Sequence, residues 1–195
     1  MKYIGITQRE INFNNISYDS LDIRWSNFLL KCNLVPVLLP NNISITEKIL
    51  KKNNFCGFIF SGGGKIRSIS GNESREIIED RILDICIESN LPLIGVCRGM
   101  QKIQDFFGIS IYKVKGHVMQ EQDILINEKS VKKNRYHNYG TKDNNDNFHV
   151  WAKSYDNIIK AIKHKKYNIS GIMWHPERFE PFHDDDISFF SNKFL

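Results

Sequence analysis

The chain has 195 residues, 41% of them hydrophobic and 25% charged. That balance excludes wholesale disorder and predicts one globular domain over residues 1–195. Lys and Arg number 27 against 22 Asp and Glu, a net charge of +5, too small and too scattered to argue for nucleic acid but suited to a small anionic substrate. No apolar run approaches the roughly 18–20 residues of a membrane span. The opening Met1-Lys2-Tyr3-Ile4-Gly5-Ile6-Thr7 turns polar too soon for a secretory signal, so a cytoplasmic location without a membrane partner is expected.

Residues 3–7 form a first strand-like run. Residues 19–31 place Leu21, Trp25, Phe28 and Leu29 at helical spacing. Leu34–Leu39 is a second apolar run, closed by Pro40. Ser44, with Glu47 three residues on, reads as a capping box that opens a helix to Lys52. Residues 56–60 form a third strand, which runs into Ser61-Gly62-Gly63-Gly64. Glu73–Ser89 is an amphipathic helix with Ile77, Ile78, Ile82, Ile85 and Cys86 on one side. A fourth strand over residues 91–96 precedes a helix over 99–107. These strands are continuously apolar, the mark of strands covered on both faces. The β-α alternation therefore predicts a doubly wound α/β fold around a mostly parallel sheet. Beyond residue 112 shorter strands are expected at 122–127, 148–154, 158–163 and 169–174, with a hairpin turn at 165–168. Polar, basic stretches at 129–135 and 141–147 separate them. Asp184, Asp185 and Asp186 favour the N-terminus of a last helix ending near Phe194.

Cys32, Cys56 and Cys86 lie in apolar contexts without flanking glycines and read as core residues. No CxxC spacing suggests a zinc site or a redox pair. Cys97 differs: an apolar strand ends on it, Gly95 and Gly99 flank it, and a helix follows. This is the cysteine form of the strand-turn-helix elbow. Small neighbours let the backbone bend, and the helix N-terminus favours a thiolate. The amide of Arg98 is then aimed where an oxyanion would form. The alternative is a buried structural cysteine at a strand end. In Trp174-His175-Pro176-Glu177, Pro176 favours extended backbone at His175. Residues 175 and 177 then share a face, so the carboxylate can orient the imidazole and complete a nucleophilic triad with Cys97. Among the other histidines, His137 is the best candidate for a supporting role, and no histidine spacing suggests a metal. The triple-glycine loop lacks the P-loop and G-x-G-x-x-G patterns, which leaves a second oxyanion donor or a flexible turn.

Together these segments resemble the class I, triad-type glutamine amidotransferase superfamily, specifically its γ-glutamyl hydrolase branch. The resemblance rests on Ser61-Gly62-Gly63-Gly64, on Arg75-Glu76 with Glu79, on Gly95-Val96-Cys97-Arg98-Gly99-Met100-Gln101 and on Trp174-His175-Pro176-Glu177. It implies Cys97 as nucleophile, His175 as general acid and base, and Glu177 as its orienter, with no cofactor and no metal. Amides of the Gly62, Gly63 loop and of Arg98 would bind the oxyanion, and Gln101 would contact the glutamyl group. Asn134-Arg135-Tyr136-His137 stands where the family has Asn-Ser-x-His, a segment that grips the glutamyl α-groups; Arg135 replaces the usual Ser. The Cys-Arg-Gly form of the elbow leans toward substituted γ-glutamyl amides. The expected substrate is an anionic nucleotide conjugate, γ-glutamyl-CDP-amidate, which would yield cytidine diphosphoramidate for capsular polysaccharide modification. Lys65 and Arg67, with the basic stretches 129–135 and 160–166, are the expected phosphate contacts. Three readings compete: a γ-glutamyl polyamine hydrolase served by Glu180 and the acidic residues 184–186, a glutaminase subunit feeding a separate synthetase, and an interaction module on a decayed amidotransferase fold.

Overall fold

A computed structural model describes residues 1–71 and 73–195, and of Met119 and Gln120 the backbone alone. Strand β1 (Lys2–Thr7) leads into β2 (Arg9–Phe13) and β3 (Ile16–Ser20), an antiparallel hairpin. The turn residues Asn14 and Asn15 have φ of 52° and 60°, the left-handed pair that suits a tight hairpin and that asparagine tolerates. This hairpin was not expected. It takes residues 19 and 20 out of the predicted helix, so α1 spans Arg24–Lys31, and just before it Asp22 accepts from the Arg24 amide at 3.2 Å. Trp25, Phe28 and Leu29, at i, i+3 and i+4, are its buried face. Strand β4 (Leu34–Leu39) is followed by α2 (Ile43–Lys52). Its cap is Asn42, whose side chain accepts from the Ile45 amide at 3.0 Å. Ser44, the expected cap, lies inside the first turn.

Strand β5 (Phe58–Phe60) runs into the glycine loop and a 3-10 turn at Arg67–Ile69, then α3 (Glu73–Ser89). Strand β6 (Leu93–Val96) ends at Cys97, and α4 (Arg98–Phe106) starts directly after it. Next come β7 (Tyr112–Lys113), β8 (Val118–Ile126) and β9 (Lys129–Tyr136). Strand β9 occupies the stretch expected to be a polar separator. It forms the outer edge of the large sheet, where lysines belong because they discourage further pairing. Strand β10 (Tyr139–Gly140) pairs with β7, and β11 (Phe148–Ser154), β12 (Ile159–His164) and β13 (Ile169–Ile172) complete the sheet before α5 (Asp184–Phe194). The turn predicted at 165–168 does join antiparallel β12 and β13.

The nine-stranded sheet has the order β4-β1-β5-β6-β13-β12-β11-β8-β9. The first five strands are parallel and carry the helices, while the last four extend the sheet with antiparallel pairs. One face buries Trp25, Phe28, Phe190 and Phe194 of α1 and α5 against Ile4, Ile6, Ile59 and Ile94. The other buries Ile78, Ile82 and Leu83 of α3 and Met100 and Ile103 of α4 against Phe58, Phe60 and Leu93. Helices on both faces explain the continuously apolar parallel strands. No helix among the described residues is long and apolar enough to cross a membrane. The C-terminal ends of β5, β6 and β13 lie side by side, where open α/β sheets place their ligands.

Candidate active site

Cys97 stands in the elbow between β6 and α4 with φ 53° and ψ −107°. Such a conformation costs a residue with a Cβ about 1–3 kcal/mol and persists only where the surroundings enforce it. Two contacts do so: the Cys97 amide donates to the Ile172 carbonyl at the end of β13 at 2.8 Å, and its carbonyl accepts from the Gln101 amide at 3.1 Å. The flanking glycines are required by space. A Cβ on Gly95 would lie 2.5 Å from the Gly99 backbone, and one on Gly99 would strike the Phe60 carbonyl.

His175 follows β13 at the same end of the sheet, and its ring and the Cys97 side chain line one cleft, both against Gly62. Its Nδ1 lies 2.6 Å from Glu177 Oε1. All three side chains are buried, Cys97 at 6%, His175 at 2% and Glu177 at 1% exposure. Burial opposes the imidazolium, but the facing Glu177 and Cys97 anions raise the His175 pKa to about 9. Burial likewise pushes the thiol up; His175, Arg178 and the Arg98 amide outweigh it, and the Cys97 pKa lies below its ordinary value. Each of the two thus favours the charged form of the other, with the carboxylate behind the imidazole.

The glycine loop closes over this pair. A Cβ at Gly62 would lie 2.5 Å from His175 Cε1 and 3.4 Å from Cys97 Cβ, so only glycine fits. Gly63 and Gly64 have φ of 85° and 81°. Buried Arg75 donates to the carbonyls of Ser61 at 2.6 Å and Gly63 at 2.9 Å. In a trans peptide the following N–H points opposite to the carbonyl, so the amides of Gly62 and Gly64 turn away from Arg75. Behind the loop, Arg75 also binds Glu79 at 2.9 Å. The Arg98 guanidinium meets Glu76 and Glu79, and Lys102 meets Glu76 at 2.7 Å and also Asp80. The Arg98 side chain is thus structural, while its amide serves the sulfur.

A cleft of about 460 Å³ opens above Cys97 and His175. Of the residues named from the sequence, Gly63, Lys65, Gln101, Tyr136 and His137 line it and Gly62 does not, and Gly64, Arg9 and Arg178 join them. Arg9 sits at the base of the β2–β3 hairpin, and its buried Nε has no hydrogen-bond partner. Arg178 lies over the Tyr136 ring at 4.8 Å, with its Nε 3.5 Å from both Asp22 and Glu177. Its only sequence signal was adjacency to the His-Pro-Glu segment.

Several expectations change. Asn134 does not face the cleft: its amide donates to the His175 carbonyl and its oxygen accepts from the His175 amide, both at 2.8 Å, so it clamps the imidazole's own backbone. His137 has both ring nitrogens engaged, Nδ1 with the Tyr139 carbonyl at 2.9 Å and Nε2 with Lys160 at 2.7 Å, so neither is left to grip substrate. Arg135 lies half-buried on β9, outside the wall of the cleft. Arg67 pairs with Asp80 at 3.2 Å and also stands outside that wall. In the basic stretches, Lys133 is buried against Asp186 at 2.7 Å and Lys160 among histidines. Among the described residues, no three His, Cys, Asp or Glu side chains converge as metal ligands.

Residues 17–194 match the family Glutamine amidotransferase class-I. The chain is 33% identical over 186 residues to the γ-glutamyl-CDP-amidate hydrolase of Campylobacter jejuni, covering 90% of each. It is 29% identical over 159 residues to a glutamine-hydrolyzing GMP synthase subunit of Pyrococcus abyssi, covering 77% of this chain and 80% of that one. The crystal structure of a glutamine amidotransferase from Thermotoga maritima shares the fold with a TM-score of 0.70 at 11% identity, covering 98% of this chain and 83% of that one. Motif, fold and similarity agree: the chain belongs to the class-I glutamine amidotransferase family.

Proposed function

We propose that the protein hydrolyses a γ-glutamyl amide through a thioester on Cys97, with γ-glutamyl-CDP-amidate as its substrate. The Cys97 thiolate adds to the γ-carbonyl, and the oxyanion is held by the Arg98 amide and an amide of the glycine loop. His175, charged and oriented by Glu177, gives its proton to the leaving nitrogen as the C–N bond breaks. The neutral imidazole then takes a proton from water, whose oxygen attacks the thioester and releases glutamate. Cytidine diphosphoramidate leaves in the first step, a donor suited to capsular polysaccharide modification.

The observation that carries this reading is the charge of the cleft. Its mouth holds Arg9, Lys65 and Arg178, and among the described residues no Asp or Glu lines it. A diphosphate is matched there and a polyamine is not. Glu180 and residues 184–186, which a polyamine would need, lie outside the cleft wall, and Asp186 is committed to Lys133 and to Trp174 Nε1 at 2.9 Å. The similarity to the Pyrococcus GMP synthase chain favours a second reading, a glutaminase that supplies ammonia to a separate synthetase.

Glutamate release from γ-glutamyl-CDP-amidate, glutamine and γ-glutamyl putrescine separates the readings. The nucleotide conjugate is expected to show the highest kcat/KM, and Cys97→Ala to abolish its turnover. Preference for glutamine would move the protein to the second reading. Wild-type rates in Cys97→Ala would remove the thioester.

A further inference from the structure

A second group of ionisable side chains is buried beside the cleft and has no part in the chemistry above. Lys160, on β12, is 3% exposed. Its Nζ lies 2.7 Å from His137 Nε2 and 3.0 Å from His117 Nδ1. The two imidazoles stack with centroids 5.1 Å apart and an interplanar angle of 17°. His117 Nε2 meets the Asp156 carboxylate at 3.0 Å.

The partners fix the His137 proton. A carbonyl only accepts, so His137 carries its proton on Nδ1, toward the Tyr139 carbonyl, whereas His117 faces an acceptor at each nitrogen, Asp156 at Nε2 and Gln122 Oε1 3.3 Å from Nδ1. The His137 nitrogen facing Lys160 is therefore a lone pair, and the lysine donates to it. Burial, with the nearby Lys160 charge and His117, holds the His137 pKa well below the usual histidine range, so the ring is neutral. The Tyr139 carbonyl accepts a second bond, from Gln101 Nε2 at 2.8 Å. Because that oxygen cannot donate, Gln101 must turn its nitrogen there, which leaves Oε1 as the free polar end of a side chain that lines the cleft.

We propose that Lys160 is a positioning residue for substrate: through His137 and the Tyr139 carbonyl it holds the Gln101 amide with Oε1 as the acceptor offered to the glutamyl ammonium. The path is three consecutive hydrogen bonds of 2.7, 2.9 and 2.8 Å. Without the lysine, His137 can move its proton to Nε2, and its Nδ1 lone pair then opposes the Tyr139 carbonyl. The support under Gln101 is lost while the hydrogen bonds that hold His175, from Glu177 and Asn134, are kept. The inference rests on the γ-glutamyl reading of the cleft.

The test compares two alkylating agents on the full chain. Iodoacetamide reads the thiolate alone, whereas 6-diazo-5-oxo-norleucine, a glutamyl-shaped diazoketone, reads the thiolate and recognition of the α-groups. Lys160→Met is expected to raise the half-saturating diazoketone concentration about 5–20-fold, with the limiting rate and the iodoacetamide rate within twofold of wild type. In a Gln101→Ala background the same substitution is expected to add nothing, because the two act on one contact. An unchanged half-saturating concentration, or effects that multiply in the double variant, overturns the inference. Wild type that reacts with iodoacetamide but not with the diazoketone overturns the γ-glutamyl reading and this inference with it. One measurement needs no substitution and so survives a variant that fails to fold: imidazole nitrogen NMR of the wild-type chain. It is expected to show His137 protonated at Nδ1 only, and a proton on Nε2 overturns the proposal.

Discussion

Cys97 and His175 set each other's charge. The imidazolium, with a pKa of about 9, keeps its proton through neutral pH and loses it as pH rises through about 9. The thiol is shifted down by the facing imidazolium, Arg178 and the Arg98 amide against its burial. Turnover is therefore expected to fall on the alkaline side near pH 9, where no acid remains for the leaving nitrogen. Glu177→Gln removes the anion that favours the imidazolium, so that alkaline limb is expected to move to lower pH and thiolate formation to higher pH. Turnover should drop about 10²–10⁴-fold, checked by kcat and iodoacetamide profiles across pH. At this scale the meeting of Cys97, His175 and Glu177 was legible because each residue sits in a local pattern: glycines around Cys97, a proline between His175 and Glu177, although Pro176–Arg178 form a 3-10 turn and not the extended backbone expected there. Asn134 and Lys160 were not legible in their roles. Asn134 lies in a stretch that read as a polar separator and Lys160 on an expected strand, and which face of a strand turns inward depends on neighbours far away in the chain.

Among the elements, the elbow is the most tightly constrained. Gly99→Ala would press a methyl group into the Phe60 backbone, where nothing flexible can yield. A loss of about 1–3 kcal/mol is expected, seen as a melting temperature lower by roughly 3–10 °C in a chain of this size, together with slower alkylation of Cys97. A variant that melts and alkylates like wild type would remove the steric account of the glycine. The parallel strands and α3 were legible because continuous apolar runs and a helical period are strong signals. The β2–β3 hairpin was not, since its turn is Asn14-Asn15 without glycine and its strands carry Ile11, Phe13, Ile16 and Tyr18 exposed. Strand β9 was missed because an edge strand has reason to carry the charges that elsewhere mark a loop.

Across the whole molecule, the buried ion cluster of Arg75, Glu76, Glu79, Arg98 and Lys102 joins the glycine loop, α3 and α4 into one support under the cleft. Removing one partner from such a cluster leaves a charge uncompensated, at about 3–5 kcal/mol. Arg75→Met is expected to lower the melting temperature by roughly 6–20 °C. Below its melting range it should lose kcat while Cys97 still reacts with iodoacetamide, because the loop amides lose their anchor but the sulfur does not. Equal losses of kcat and alkylation would contradict that division. The arginine and glutamates were visible as a helix pattern, but their meeting with Arg98 was not, because it depends on the packing of α3 against α4. The same holds for the pairing of β6 with β13, which no local pattern announces and which brings residues 97 and 175 together. During synthesis the sulfur leaves the ribosome long before its imidazole. Until β13 slots in between β6 and β12, the cysteine is a mostly protonated thiol with little power to attack. The molecule is thus chemically silent while it is being made, and completion of the sheet is the event that arms it.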